Sequence, residues 1–364
     1  MRFEPRIVLD CRWLANGGAG RVTELLLRGL ADSPPSRGRW VVWGPPRAAA
    51  LAWPGAEVVS TSVDPRALAG QRAWLAVPKS DLAVFLHQLR PLRAVRSLTF
   101  VYDTIPLRFS GRGLARTAKR LFLQRVTATS RQLITASEYA KTCIQRDLGV
   151  GSARVAVVDL PFDDAFVARV VDLRCRQPTA EVALFVGRFA AHKNLPRLIA
   201  AFGRTEFCRG GGRLLLVGGR EDELRALGHQ MTPSERNFVE CRPGCPQDEL
   251  ERLFATSRMA VQPSLEEGFG LPAWEALSCG LPVCISDGGA LPEVTRGLVD
   301  TFPASSVAAM ATAIDECAER ARADPDHAMD VSGRLRARAP TIGQFAGQVA
   351  ELAMRNLPTP TRAG

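Results

Sequence analysis

Short aliphatic runs separated by helix-length stretches recur along most of the chain, and this alternation restricts the fold more than any other feature. Residues 7–9, 40–43, 82–86, 98–102, 133–135 and 155–158 form one series, and residues 182–186, 214–217, 259–261 and 282–285 form a second. A strand that is apolar on both faces has to be covered on both, as in a parallel sheet with helices packed on either side. The runs pause between Pro161 and Pro178. The pattern therefore predicts an α/β protein of two doubly wound, Rossmann-like domains facing across a cleft, the first over 1–170 and the second over 171–340. Phe345, Val349, Leu352 and Ala353 then recur at helical spacing, so a helix over 341–357 is expected to pack back on the first domain. Residues 358–364 read as a disordered tail.

The chain has 364 residues, 46% of them hydrophobic, and a formal net charge of +10. That is long enough for two cores, and no apolar run approaches the ~20 residues of a membrane-spanning helix. The first residues carry charges and Pro5 without the apolar core of a secretory signal, so a cytoplasmic location is expected. The basicity is local: between Arg66 and Arg146 fifteen Lys and Arg residues stand against three acids, an excess of +12, which leaves −2 for everything else. Such an excess suits an anionic membrane surface or a phosphorylated substrate, and equally a solvated arginine-rich surface. No nucleic-acid partner is expected. Nine cysteines are scattered, and the closest pair, Cys241 and Cys245, lacks a second pair or a nearby histidine to complete a zinc set. Free thiols and no metal site are the expectation.

Three strand-to-helix turns carry residues suited to chemistry. The first, Asn16-Gly17-Gly18-Ala19-Gly20-Arg21, precedes an amphipathic stretch with Val22, Leu25, Leu26 and Leu30 on one side. Glycines let a phosphate approach the backbone at a helix start, although a glycine turn without a ligand reads the same way. The second runs from Gly187 through Arg188, His192 and Lys193 to Asn194. It places two cations where a diphosphate can be neutralised, with Asn194 as a candidate N-cap and His192 as a bystander; solvated loop charge is the plainer alternative. In the third, Gly268 and Gly270 flank Phe269, Pro272 suits the start of a helix and Gly280 its end. Glu267 lies on the loop and Glu275 in or near the helix's first turn. A carboxylate matches a vicinal diol, whereas Glu275 can also serve only the helix dipole. An acid and nucleophile pair of the hydrolase type stays open.

These residues carry a resemblance to the retaining glycosyltransferases of family 4, which have the two-domain GT-B architecture. The likeness rests on Gly187-Arg188-x4-Lys193-Asn194-Leu195, on Glu267-Gly268-Phe269-Gly270-Leu271-Pro272-x2-Glu275, on Cys279-Gly280-Leu281-Pro282-Val283 and on Leu291-Pro292-Glu293-Val294. In the first half, Gly17-Gly18-Ala19-Gly20-Arg21, Tyr102-Asp103-Thr104-Ile105-Pro106-Leu107 and Ala136-Ser137-Glu138 resemble a mannosyltransferase-rich subgroup of surface-polysaccharide and O-antigen assembly. The resemblance implies Glu267 on the donor sugar, Glu275 on the ribose, and Arg188 and Lys193 on the diphosphate. It also implies the backbone of Phe269, Gly270 and Leu271 on sugar hydroxyls and phosphate, with Gly20, Tyr102, Gly187 and Gly268 completing the donor contacts. The base pocket falls around 216–220 and 243–250. Many relatives have His where this chain has Tyr102, so Tyr102 either supplies a hydroxyl instead or leaves that contact out.

The implied activity is transfer of a hexose, mannose from GDP-mannose first among the candidates, to a lipid-linked, oligosaccharide or small-molecule acceptor, without a cofactor or metal. Asp103 is expected to orient a hydroxyl. A catalytically silent nucleotide-sugar-binding subunit and a nucleotide-sugar epimerase are the alternatives. Over residues 112–126, at about 100° per residue, Arg112, Arg116, Lys119 and Arg120 share one face with Leu123, and Leu114, Ala118, Leu121 and Phe122 form the other. This fits a helix resting on anionic lipid, with a solvated helix face covering the domain as the plainer alternative.

Overall fold

The computed structural model describes residues 4–14, 17–65, 80–91, 96–109 and 113–358. Asn16, Arg112 and the expected tail beyond Pro358 lie outside them. The chain divides into a unit of residues 1–161 with 340–364 and a unit of residues 162–339. Both are Rossmann-like.

The N-terminal unit is built on a parallel sheet of β1 (Arg6–Asp10), β2 (Arg39–Gly44), β3 (Glu57–Ser60), β4 (Leu82–Phe85), β5 (Ser97–Phe100), β6 (Gln132–Thr135) and β7 (Val155–Val157), in the order β3-β2-β1-β4-β5-β6-β7. Val8 pairs with Val41 on one side and Ala83 on the other, and all three are buried. β3 has no aliphatic run because it is an edge strand whose residues alternate between half-buried and exposed. At the end of β1, Asp10 and Arg12 form a buried pair closed by two side-chain hydrogen bonds of 2.9 and 2.7 Å, with the Arg12 guanidinium 4.0 Å over Trp43. Burying two charges is tolerable because each satisfies the other. Arg90, also fully buried, donates instead to the Val126 carbonyl and to the hydroxyls of Thr129 and Ser130, where a helix ends.

That helix, Leu114–Thr129, corrects the expected division of faces. The domain takes the side carrying Leu123, Val126 and Thr127, whereas Leu114 is 90% and Leu121 61% exposed. Only the second half of the helix reaches the body, so its first turns project with their apolar residues uncovered. The first helix, Gly17–Asp32, begins at the glycines that read as the turn before it, because their permissive backbone also suits a first turn whose N–H groups have no intrahelical partner. The last helix, Ile342–Arg355, starts with a Thr341–Gln344 capping box and packs on the first. Contact is close at Gly29, where a Cβ would stand 2.5 Å from the Ile342 carbonyl and 2.7 Å from the Ala346 Cβ.

The C-terminal unit holds β8 (Ala180–Val186), β9 (Arg213–Gly219), β10 (Val239–Pro243), β11 (Ser257–Gln262), β12 (Val283–Ser286) and β13 (Thr301–Phe302), parallel in the order β10-β9-β8-β11-β12-β13. Its core joins Phe185, Leu198, Phe202, Leu216, Met259 and Ile314 across the sheet and its helices. No helix among the described residues is long and apolar enough to cross a membrane. Gly29→Ala is expected to cost about 1–3 kcal/mol through overpacking against the last helix, read as a lower urea midpoint with an unchanged slope.

Candidate active site

β9 and β10 lie on one side of β8, and β11 to β13 on the other. The strand order therefore reverses between β8 and β11, and in open α/β sheets ligands bind at the carboxyl ends of strands around such a reversal. β8 leads into Gly187, Arg188 and Lys193, and β11 leads into the 263–270 loop. The two motifs read separately in the sequence thus leave the sheet side by side.

They meet in an ion pair. Lys193 Nζ lies 2.5 Å from Glu267 Oε1, with side chains 11% and 8% exposed. The same oxygen accepts from Gln262 Nε2 and from Ser264 Oγ, each at 2.7 Å. Burial pushes the Glu267 carboxyl up, but the Lys193 charge and hydrogen bond, helped by Ser264, hold it below its ordinary value. The loops are also tied by backbone, since the Leu265 amide donates to the His192 carbonyl at 2.7 Å.

The Glu267 loop is clamped from its other side by the segment after β12. Ser286 Oγ donates to the Ser264 carbonyl at 2.6 Å and the Ala290 amide to the Glu267 carbonyl at 3.0 Å. Gly289, at φ +69°, passes so close that a Cβ would lie 2.4 Å from the Glu267 carbonyl oxygen. Gly270, at φ +95°, turns the chain into the Leu271–Ser278 helix. Gly268 and Gly270 are buried; Phe269 and Leu271 are half-buried. Glu275 is the fifth residue of the helix, just beyond its first turn, and half-buried. Trp274 beside it is stacked on Phe162 at 4.1 Å and meets Phe269 edge-on at 5.4 Å, so this short helix is anchored by aromatic packing.

Arg188, 64% exposed, pairs with Glu223 at 3.0 Å, whereas Lys193 pairs with Glu267. Glu223 is the nearer acid because its carboxylate already caps the Arg220 amide at the start of the Glu221–Gln230 helix. Asn194 does precede a helix, Leu195–Phe202, but at φ +62° its side chain caps nothing there. Its amide instead donates to the carbonyls of Pro263 and Ala304 at 3.0 and 2.8 Å, stitching the loops that follow β11 and β13.

The remaining candidates belong to the N-terminal unit. Tyr102 follows β5, and its hydroxyl donates to the Leu86 carbonyl at 3.1 Å. Burial raises its pKa above the ordinary tyrosine value, so it stays neutral. Asp103 accepts from the Ile105 amide at 3.0 Å in the turn into the Pro106–Phe109 helix. Gly20 is buried in the first turn of the Gly17–Asp32 helix. Sequence reading missed Gln262, Ser264 and Glu223. Gln262 was open to discovery, as the one polar residue ending the apolar Met259-Ala260-Val261 run.

Comparison with known proteins finds similarity in part of the sequence and in the fold. Residues 180–320 match the family model described as Glycosyl transferases group 1, and the two Rossmann-like units are those of the GT-B fold. HepE of Anabaena in complex with UDP-glucose superposes with a TM-score of 0.72 at 18% identity, over 97% of this chain and 100% of that one. Among curated proteins, a D-inositol 3-phosphate glycosyltransferase of Segniliparus rotundus is 27% identical over 306 residues, 78% of this chain and 65% of the relative. O-antigen chain mannosyltransferase B of Escherichia coli is 29% identical over 181 residues, 47% of this chain and 48% of the relative. The chain therefore spans about half to two thirds of these relatives' lengths.

The site should lose stability in acid in two stages. His192 is pushed down to about 4 from 6.5, first by burial and then by Lys193. The unfolded chain thus takes up that proton first, and stability falls as pH drops from 6.5 towards 4. Glu267, held below 4.5, adds a further loss at lower pH. His192→Gln is expected to flatten the melting-temperature profile over the first interval and leave the second; an unchanged profile contradicts this.

Proposed function

We propose that the chain is a retaining glycosyltransferase that moves a hexose from a nucleotide sugar without a metal, GDP-mannose being the first donor to test. The observation that carries this reading is the buried Lys193–Glu267 pair at the strand-order reversal of a domain matching the group 1 model. The mannosyltransferase among the relatives and the UDP-glucose bound to HepE support a nucleotide-sugar donor.

Breaking an anomeric bond to a nucleoside diphosphate builds negative charge on the leaving phosphate and positive charge on the sugar ring. Lys193 and Arg188 answer the first, as fixed cations whose effect is large where water is excluded. Each already holds a carboxylate, so the diphosphate competes with Glu267 for Lys193 and with Glu223 for Arg188. The exposed Arg188 exchanges partners at little cost. Glu267 and Glu275 accept hydroxyls of the sugar and the ribose, and the loop backbone at Phe269, Gly270 and Leu271 meets sugar hydroxyls and phosphate. Retention follows from attack on the face the phosphate leaves, with a phosphate oxygen taking the acceptor's proton. Asp103, oriented by the Ile105 amide, positions a hydroxyl. The Tyr102 hydroxyl, spent as a donor on Leu86, can only accept from a ligand.

Donor consumption measured with and without acceptor distinguishes the readings, since an epimerase needs no acceptor and a silent binder consumes nothing. Lys193→Ala and Glu267→Ala are each expected to lower kcat/KM by at least roughly 100-fold while the fold persists by circular dichroism. Near-normal turnover by either removes the role given to it.

The acceptor class is read from the projecting helix. Leu114 and Leu121 are exposed beside Arg116, Lys119 and Arg120, and no carboxylate pairs with these three cations among the described residues. An uncovered apolar stripe with unpaired cations suits an anionic lipid surface, which favours a lipid-linked acceptor. Co-sedimentation with phosphatidylglycerol vesicles, absent with phosphatidylcholine alone and weakened several-fold by Leu114→Ser with Leu121→Ser, is the expected result. Binding indifferent to lipid charge rejects it.

A further inference from the structure

Two buried polar side chains beside Glu267 are left without a part in the reaction just described. Gln262 is 2% exposed and Ser264 fully buried, and groups so buried need hydrogen-bond partners. Gln262 Nε2 donates to Ser264 Oγ at 3.0 Å and to Glu267 Oε1 at 2.7 Å, and Ser264 Oγ donates to the same Oε1 at 2.7 Å. With Lys193 Nζ at 2.5 Å, three donors converge on one oxygen of a carboxylate that has two. Such an arrangement fixes the rotation of the carboxylate plane as well as its place, and leaves acceptor capacity on Oε2.

We infer that Gln262 and Ser264 are positioning residues that lock Glu267 so that it presents Oε2 to a hydroxyl of the transferred sugar. This rests on the reading of Glu267 as the sugar-contacting carboxylate. The lock does not depend on Lys193: when a diphosphate draws that cation away, Gln262 and Ser264 still hold Oε1. It is itself anchored, because Ser264 is gripped through its carbonyl by Ser286 Oγ and Gln262 is the last residue of β11. Donors placed on a carboxylate also favour its ionised form, so weakening the lock makes Glu267 easier to protonate.

The full chain is assayed with GDP-mannose and with UDP-glucose across a pH series, as Gln262→Met, Ser264→Ala, Ser264→Thr and Gln262→Glu, beside Glu267→Gln. Gln262→Met and Ser264→Ala are expected to lower kcat by about 10- to 100-fold, the range for losing a hydrogen bond to a charged group. Donor KM should change little, and the acid limb of the rate profile should move to higher pH. Ser264→Thr, which keeps the hydroxyl, should recover most of the loss. Gln262→Glu should be the most damaging, since it sets a second carboxylate against the first. Wild-type kcat and an unmoved acid limb in both Gln262→Met and Ser264→Ala, with Glu267→Gln inactive, overturns the lock and leaves the role of Glu267 standing. A loss of rate accompanied by a lower melting temperature but no movement of the limb makes the two residues merely structural and also overturns it. Full activity of Glu267→Gln overturns both readings together.

Discussion

The buried pair of Lys193 and Glu267 joins what the sequence keeps 74 positions apart. Each residue sits on a loop, and each loop leaves one of the two strands between which the order of the sheet reverses. Without a ligand each charge needs the other at that depth, because a buried ion without a partner costs several kcal/mol. The pairing therefore constrains both loops at once. The Asn194 stitch, the Leu265–His192 bridge and the clamp by Gly289 can be understood as what holds two backbones near enough for the charges to meet.

Around this pair the unit separates rigid from exchangeable parts. Glu267, Gln262 and Ser264 are buried and bound to one another, and Asn194 is buried and bound to backbone carbonyls, whereas Arg188 lies at the surface with a carboxylate of its own. A catalytic group has to be held close to its productive geometry, and that is achieved by residues whose own rotamers are locked. A cation that meets a charged substrate from solvent needs the opposite quality, a partner it can leave. The two cations of one motif thus differ in kind, although their spacing in the sequence treats them alike.

Much of the architecture was legible because burial on both faces of a parallel strand leaves a continuous apolar run. β1, β2, β4 and β8 announce themselves in this way. β3, β10 and β13 do not, since edge strands face solvent and carry Glu, Arg or Thr without penalty. At the site, residue types and spacing singled out Lys193, Glu267 and Arg188, but partner choice depends on distances between loops from different strands. For that reason Glu223 as the partner of Arg188, and the stitching role of Asn194, could not be read in advance. The Leu114–Thr129 helix shows a related limit: periodicity divides a helix into faces, but where the body of the domain stops decides which turns are covered.

The division of the chain has a consequence for its synthesis. Residues 162–339 are continuous and form a complete unit, whereas the N-terminal unit lacks the Ile342–Arg355 helix that covers Gly29 until residues 162–339 have been made. Domains fold as units as they emerge from the ribosome, so of these two units the one begun earlier is completed later. The first helix waits with part of its apolar face uncovered while the second unit forms behind it.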